Sequence, residues 1–430
     1  MSRRHLGTIV LLTGANGIAA LSSSGVAVLA TLALGPADRG VMVLVLTVAG
    51  VVMLVGRLGC GTAMRAQLPQ AASRHRRDEL LSAYCWMTVV AAVCTGAAAA
   101  AAVRLSAPLL GPALTDVRLL AAVALGGAAN IALDQLTDLR FADGDFRRGA
   151  VWNIAATTAG LIGIAIAVVV SAQVWLLLMC QATALLAVAV TQWTLVRGQG
   201  LARFARARRR DVTGLIRMGA PSLGFSLGTS FLQRADRYLL GVLVGPGAVG
   251  IYALAATLSS VVGLLPAAIG QLSQRQAAQR DGDPWPVRAI GYTLLATLVS
   301  GAVVAAGGWL LVVPVFGAEF GSARPLIVPL LLAELCLAPF GIASRALLGT
   351  GGTKQAAGVG LLAAVASVAC YGLAISRWGT MGAATASIAL YALLSVVVLV
   401  VLRVRLNRRA RVAAPLTAPA PTAELVPDAR

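Results

Sequence analysis

From Leu6 to Leu402 the chain is a succession of apolar runs broken only by short clusters of glycine, proline and arginine. Each run reaches the roughly 20 residues that a helix needs to cross about 30 Å of hydrocarbon. That recurrence constrains the fold more than any other feature, because so many apolar spans leave no room for a soluble core. The supporting numbers agree: 58% of residues are hydrophobic and 12% charged, against roughly a quarter charged in soluble domains, and the mean hydropathy is +0.84. The punctuation divides the chain into twelve segments: 6–34, 41–62, 79–103, 117–139, 149–171, 173–196, 214–243, 248–271, 289–314, 325–344, 356–376 and 379–402. Only Ser171-Ala172-Gln173 separates the fifth from the sixth, which calls for a tight hairpin since the combined run is too long for one span. The N-terminus opens like a signal peptide, but its apolar stretch runs on to Leu34 and reads as the first transmembrane helix.

The basic residues test this division. With the N-terminus inside, 26 of the 35 basic residues fall on the inner side. Only Arg39, Arg104, Arg118, Arg324 and Arg377 fall outside, and four lie within helices. The asymmetry alternates through every loop, as the positive-inside rule requires of a plasma-membrane protein with both termini cytoplasmic. It also accounts for the net charge of +19 without a nucleic-acid partner. A basic linker is expected at 201–213, between an N-terminal lobe at 1–200 and a C-terminal lobe at 214–411. The Ala/Pro-rich segment 412–430 reads as a disordered cytoplasmic tail.

A half-chain repeat runs through the sequence. Leu34-Gly35-Pro36-Ala37-Asp38-Arg39-Gly40-Val41 closes the first hairpin, and Val244-Gly245-Pro246-Gly247-Ala248-Val249-Gly250-Ile251 closes the fourth, 210 residues later. Arg65 falls on Arg275, and Asn16 on Ser226, at the same offset. Six helices is an even number, so two such halves have one orientation and relate by an axis along the membrane normal.

Charge within a span costs about 2.5–3.5 kcal/mol near the bilayer centre and needs a reason. The seventh segment holds the main instance, LGFSLGTSFLQRADRYLLGVLVGPG. Arg234 lies 11 residues before Gly245, roughly 16 Å deep at 1.5 Å per residue. Ser222, Ser226, Thr229, Ser230, Gln233, Arg234 and Arg237 recur in steps of three and four, a polar stripe on one side of a helix. Two readings compete: a buried ion-pair network that fixes packing, or the wall of a wet cavity presenting two cations. The length of the stripe favours the wall, since a packing pair needs no further polar residues. Asp236 neutralises one arginine or pairs with a neighbouring helix. Asn16, Ser23 and Ser24 form a milder, uncharged echo on the first helix, where hydroxyls also serve close packing. Arg57 snorkels to the headgroups or joins the cavity. Glu334 is a coupling-ion or proton site, or the partner of a cavity arginine. Asp134 and Asp138, four residues apart, balance the arginine-rich loop beyond them.

Nothing in the sequence has the form of a catalytic or metal site. The two histidines, His5 and His75, and the six scattered cysteines show no ligand or redox spacing, and no nucleotide-binding loop or Ser/His/Asp set occurs. No cofactor is expected, and a secondary transporter is the class that remains.

The hairpin LALGPADRGVMVL, the following RLGCGTAMRAQLP, and above all RADRYLLGVLVGPGAVGIYALAATLSSVVGLLP resemble the polysaccharide-exporting flippase branch of the multidrug/oligosaccharidyl-lipid/polysaccharide (MOP) superfamily. The resemblance implies an all-α fold of two six-helix lobes around a V-shaped central cavity, working by alternating access. It implies a lipid-linked anionic glycan as substrate, an undecaprenyl-pyrophosphate-linked unit or a related envelope glycolipid, in contact with membrane lipids and driven by a coupling ion, proton or sodium. Arg234 and Arg237 then hold phosphates, with Arg57 a looser match. Gln233, Ser230 and Asn16 meet sugar hydroxyls, and Asp236 or Glu334 balances charge. The rivals are a multidrug or cation antiporter of the same fold, and a membrane polysaccharide polymerase or ligase. A helix seven that is net positive by one speaks against a cationic cargo.

Overall fold

The computed structural model describes residues 3–71, 73–202, 204–205, 207–264, 266, 269–270, 273 and 287–413. Among them the ordered structure is helical: α1 Arg3–Ala33, α2 Pro36–Gly56, α3 Cys60–Gln67, α4 Arg74–Leu105, the single turn α5 Ala107–Leu110, α6 Val117–Ala142, α7 Phe146–Val170 and α8 Val174–Gly198. The second half continues with α9 Arg209–Leu232, α10 Ala235–Leu243, α11 Pro246–Ser260, α12 Val287–Phe316, α13 Arg324–Gly349 and α14 Thr353–Ala413. Nine helices among the described residues are long and apolar enough to cross a membrane, and Gly17–Ala33 and Leu223–Leu232 are shorter apolar stretches. The chain is a polytopic, all-helical membrane protein.

Local chemistry sets the boundaries. Ser73, Asp116 and Asp145 accept hydrogen bonds from the backbone N–H groups of Arg76, Arg118 and Arg148 at 3.1, 2.9 and 3.1 Å, capping α4, α6 and α7. Pro36 and Pro246 occupy the first turns of α2 and α11, where a missing N–H costs nothing. Gly245 before the second of them has φ +117°, a region closed to side chains. Within α14, Gly379 at φ 54° and ψ −131° is non-helical. It bends the element between the two segments expected at 356–376 and 379–402.

The two halves of the chain share much of their order of neighbours. In the first, α1 packs on α7, α7 on α8, α8 on α6, α6 on α4 and α4 on α2. In the second, α9 packs on α14, α14 on α13, and α13 on both α12 and α11. The outer faces are apolar and unpacked, with Val169, Leu310 and Leu361 all exposed, as a lipid-facing surface would be. The expected linker does not hang free. Phe204 sits between the rings of Trp86 and Trp193, at centroid distances of 5.1 and 5.4 Å. Ser82 Oγ and Trp86 Nε1 both donate to the Ala205 carbonyl, at 2.7 and 3.2 Å. The tail segment beyond 413, and Arg275 and Arg280, lie outside the described residues.

The repeat is visible as a reciprocal contact. A Cβ built on Gly40 would lie 1.7 Å from the Pro246 carbonyl oxygen, and one on Gly250 would lie 2.0 Å from that of Pro36. Gly40 meets the counterpart of Pro36, and Pro36 meets the counterpart of Gly40, so α2 and α11 cross backbone to backbone at the hairpin end. At the opposite, basic end, Gly59 (φ +66°) and Gly219 also touch through their backbones. There Arg76 bonds Asp211 at 2.5 Å and Arg208 lies 3.0 Å from Glu79.

Candidate functional site

Two chambers open inside this frame. The larger, of about 1010 Å³, is lined from both halves of the chain by α1, α2, α9 to α11, α13 and α14. The polar stripe of α9 is what builds its wall. The Thr229 hydroxyl bonds back to the carbonyls of Phe225 and Ser226, each at 3.1 Å, a competition with the helical ladder that bends helices. The helix breaks four residues later. Arg234 leaves the helical region at φ −131° and ψ −18°, and α10 restarts at Ala235. The seventh segment, expected as one helix over 214–243, is therefore two, and the break sits where the cations are.

Arg39, Arg234, Arg237 and Arg345 line this chamber together with Asp236 and Glu334. Arg234 donates to the Leu46 carbonyl at 3.3 Å. It lies so near Gly50 that an added Cβ there would sit 2.1 Å from its guanidinium. Arg39 is 5% exposed and donates through Nε to Thr31 Oγ1 at 3.1 Å. The Nε of Arg237 is buried without a hydrogen-bond partner. Asp236 is buried and accepts from Tyr252 Oη at 2.8 Å and from the Arg237 backbone N–H at 2.7 Å. Its partner is thus a tyrosine of α11 rather than a guanidinium. None of the four arginines forms an ion pair among the described residues. Glu334 faces Gly263, where a Cβ would come within 3.1 Å of its Oε2.

The smaller chamber, of about 580 Å³, is lined mainly by the first lobe, with Leu223 and Ser226 of α9 closing one side. Here the charges are matched: Arg57 pairs with Asp134 and Arg65 with Asp138. Arg65 also lies over the Phe141 ring, 4.6 Å from its centroid. The remaining polar lining is amide and hydroxyl, including Asn130, Asn153, Thr157 and Gln181, set among apolar residues such as Val26, Leu133 and Leu185. Ser23 and Ser226 line both chambers.

The structure brings Gln233, Arg234, Arg237, Asp236 and Glu334 to one chamber, with Ser23 and Ser24 across from them. It sends Arg57 to the other chamber, already paired to Asp134, because the end of α2 faces α6 there. Ser230 is half-buried and lines neither chamber, although it shares α9 with Ser226 and Thr229, ahead of the break. Asn16 lies on α1, its side chain outside the described residues, as does that of Ser222. Sequence reasoning missed Arg39 and Arg345. Arg39 was counted as an outer-loop charge, yet Pro36 starts α2 and puts Arg39 in its first turn. Arg345 was placed one residue beyond the tenth segment, whereas α13 continues to Gly349.

Residues 6–274 match the family model described as polysaccharide biosynthesis protein. The chain belongs to that family. No curated protein matches it in sequence. Its fold is that of MOP superfamily transporters. It is similar to a multidrug resistance MATE family transporter in an inward-facing conformation (TM-score 0.75, 14% identity, 92% of this chain and 96% of that one). It is also similar to the lipid II flippase MurJ in an inward closed conformation (TM-score 0.73, 12% identity, 91% and 86%). A third similar structure is a MOP superfamily transporter from Pyrococcus furiosus, whose reversed binding-pocket polarity suggests a different function (TM-score 0.61, 14% identity, 93% and 95%).

Proposed function

We propose that the chain is a secondary transporter that flips a lipid-linked anionic glycan across the plasma membrane by alternating access, with both termini cytoplasmic. The cargo is an undecaprenyl-pyrophosphate-linked polysaccharide unit or a close relative. The observation that carries this is the excess of unpaired guanidinium groups in the larger chamber, four against two carboxylates, with the Nε of Arg237 buried and unpartnered. A buried charge without a counter-ion is expensive to hold. A phosphate or pyrophosphate group relieves that cost through bidentate, charge-assisted hydrogen bonds, the geometry for which arginine is suited.

The roles follow from position. Arg234 and Arg237 hold the phosphates, with Arg39 and Arg345 completing the positive field. Gln233 reaches neighbouring hydroxyls. Asp236 and Glu334 adjust the charge of the chamber and are where a coupling proton or sodium ion acts. Membership of a polysaccharide biosynthesis family supports the glycan, and the likeness in fold to a lipid II flippase supports a lipid carrier. A cationic cargo, as for a multidrug antiporter, would meet net repulsion in the same chamber.

The test is Arg234→Ala/Arg237→Ala in the native host, reading surface glycan against the amount of protein in the membrane fraction. Loss of surface glycan at unchanged protein level is the expected result. Unimpaired export by the double variant overturns the assignment.

A further inference from the structure

The smaller chamber plays no part in that account, although it is preformed, of the size of a ligand site and lined by none of the four unpaired arginines. Its charges are used up within the protein, Arg57 on Asp134 and Arg65 on Asp138, so it offers little to an anion or to a cation. Two of its other polar groups are also engaged. The Asn130 amide donates to the Gly126 carbonyl at 2.7 Å, and Gln135 Oε1 accepts from Thr88 at 2.7 Å. Asn153 on α7 and Gln181 on α8 are different. Both are half-buried in the wall and have no side-chain hydrogen bond among the described residues. An amide presents donors and an acceptor together, and among the described residues these two are free of protein partners on the wall of the chamber. The complement of such a wall is an uncharged ligand rich in hydroxyl or acetamido groups.

We propose that this first-lobe chamber is the site for the uncharged sugar portion of the transported glycolipid, held by Asn153 and Gln181. This rests on the flippase reading above and extends it. The cargo is bound in two parts, its phosphates among the arginines and its sugars in the neutral chamber. The shared residues Ser23 and Ser226 mark where one compartment passes into the other.

Saturation-transfer NMR on the full-length protein in nanodiscs tests this with two separate probes, the uncharged disaccharide N,N′-diacetylchitobiose and inorganic pyrophosphate. Wild-type protein gives a saccharide signal. Asn153→Leu/Gln181→Leu weakens saccharide binding by at least about tenfold, the worth of two hydrogen bonds, and leaves pyrophosphate binding unchanged. Gly160→Leu is an independent plug. Its Cβ would already meet Gln181 and Leu185 at 3.6 and 3.7 Å, so the longer side chain crowds the chamber wall at Gln181, and the saccharide signal is lost. Arg234→Ala/Arg237→Ala gives the converse, pyrophosphate lost and saccharide kept. No saccharide signal in the wild-type protein, or one that survives both Gly160→Leu and the double leucine variant, overturns the sugar site. Pyrophosphate that fails to bind while saccharide behaves as expected instead removes the arginine assignment and leaves this site standing.

Discussion

The two chambers differ less in which residues line them than in how those residues are spent. Each contains arginines and acids. In the first-lobe chamber every guanidinium named in its wall has a carboxylate in contact. In the chamber between the lobes, Arg39 bonds a threonine, Arg234 a backbone carbonyl and Asp236 a tyrosine. Charge that is paired internally stabilises a lobe and is silent towards a ligand. Charge denied a partner is stored, and only a ligand of opposite sign recovers it. Counting charges does not separate the two cases; the partners do.

That contrast can be broken most severely by removing the unpaired set. Arg234→Ala/Arg237→Ala should reduce export at least about a hundredfold, since hydrogen bonds to charged groups are worth about 1.5–3 kcal/mol each; initial rates of surface glycan appearance measure it. Next in size is conversion of the neutral chamber into a cationic one. Asp134→Asn leaves Arg57 without its carboxylate, and pyrophosphate should then bind at a second, weaker site. Calorimetry would detect it as a change in stoichiometry. Because the Arg57–Asp134 pair is part-exposed, the accompanying loss of stability should be only about 1 kcal/mol, read by thermal unfolding in detergent. Asp236→Asn keeps an acceptor for Tyr252 while removing a negative charge, and should tighten pyrophosphate binding about two- to fivefold, on the scale of a single partly screened charge. The smallest effect belongs to Ser230→Ala, where export and stability should stay within about 0.5 kcal/mol of wild type. A large loss in that variant would show that the stripe acts as one face across the break.

Much of the fold was legible because hydrocarbon imposes a single rule on length and polarity. Among the described residues the twelve expected segments fall largely on helical structure, with breaks at Gly56–Gly59 and at Gln233–Arg234 that apolar periodicity does not register. The repeat was legible as well, since Pro36 and Pro246 with Gly40 and Gly250 had to be alike in order to meet one another. The site was legible only in part. A polar stripe identifies a wet face, so Gln233, Arg234 and Arg237 could be named. Partners cannot be read from spacing, so the pairing of Arg57 with Asp134 in the other chamber had no signal in the sequence. Residues at drawn boundaries were the ones misplaced, and Arg39 and Arg345 each lie within a turn of one. The amides Asn153 and Gln181 gave no signal, because a single polar residue in an apolar helix has the same pattern whether it faces a cavity or a neighbour.

The wedging of Phe204 between Trp86 and Trp193 has a mechanical consequence. With that ring seated on the first lobe and α9 beginning at Arg209, the leash between the two halves is a handful of residues long. In the alternating access proposed above, the second half would then swing about a pivot beside Trp86 instead of drifting at the end of a slack tether. Unseating the ring would lengthen the leash and slow each swing without touching a single cargo contact.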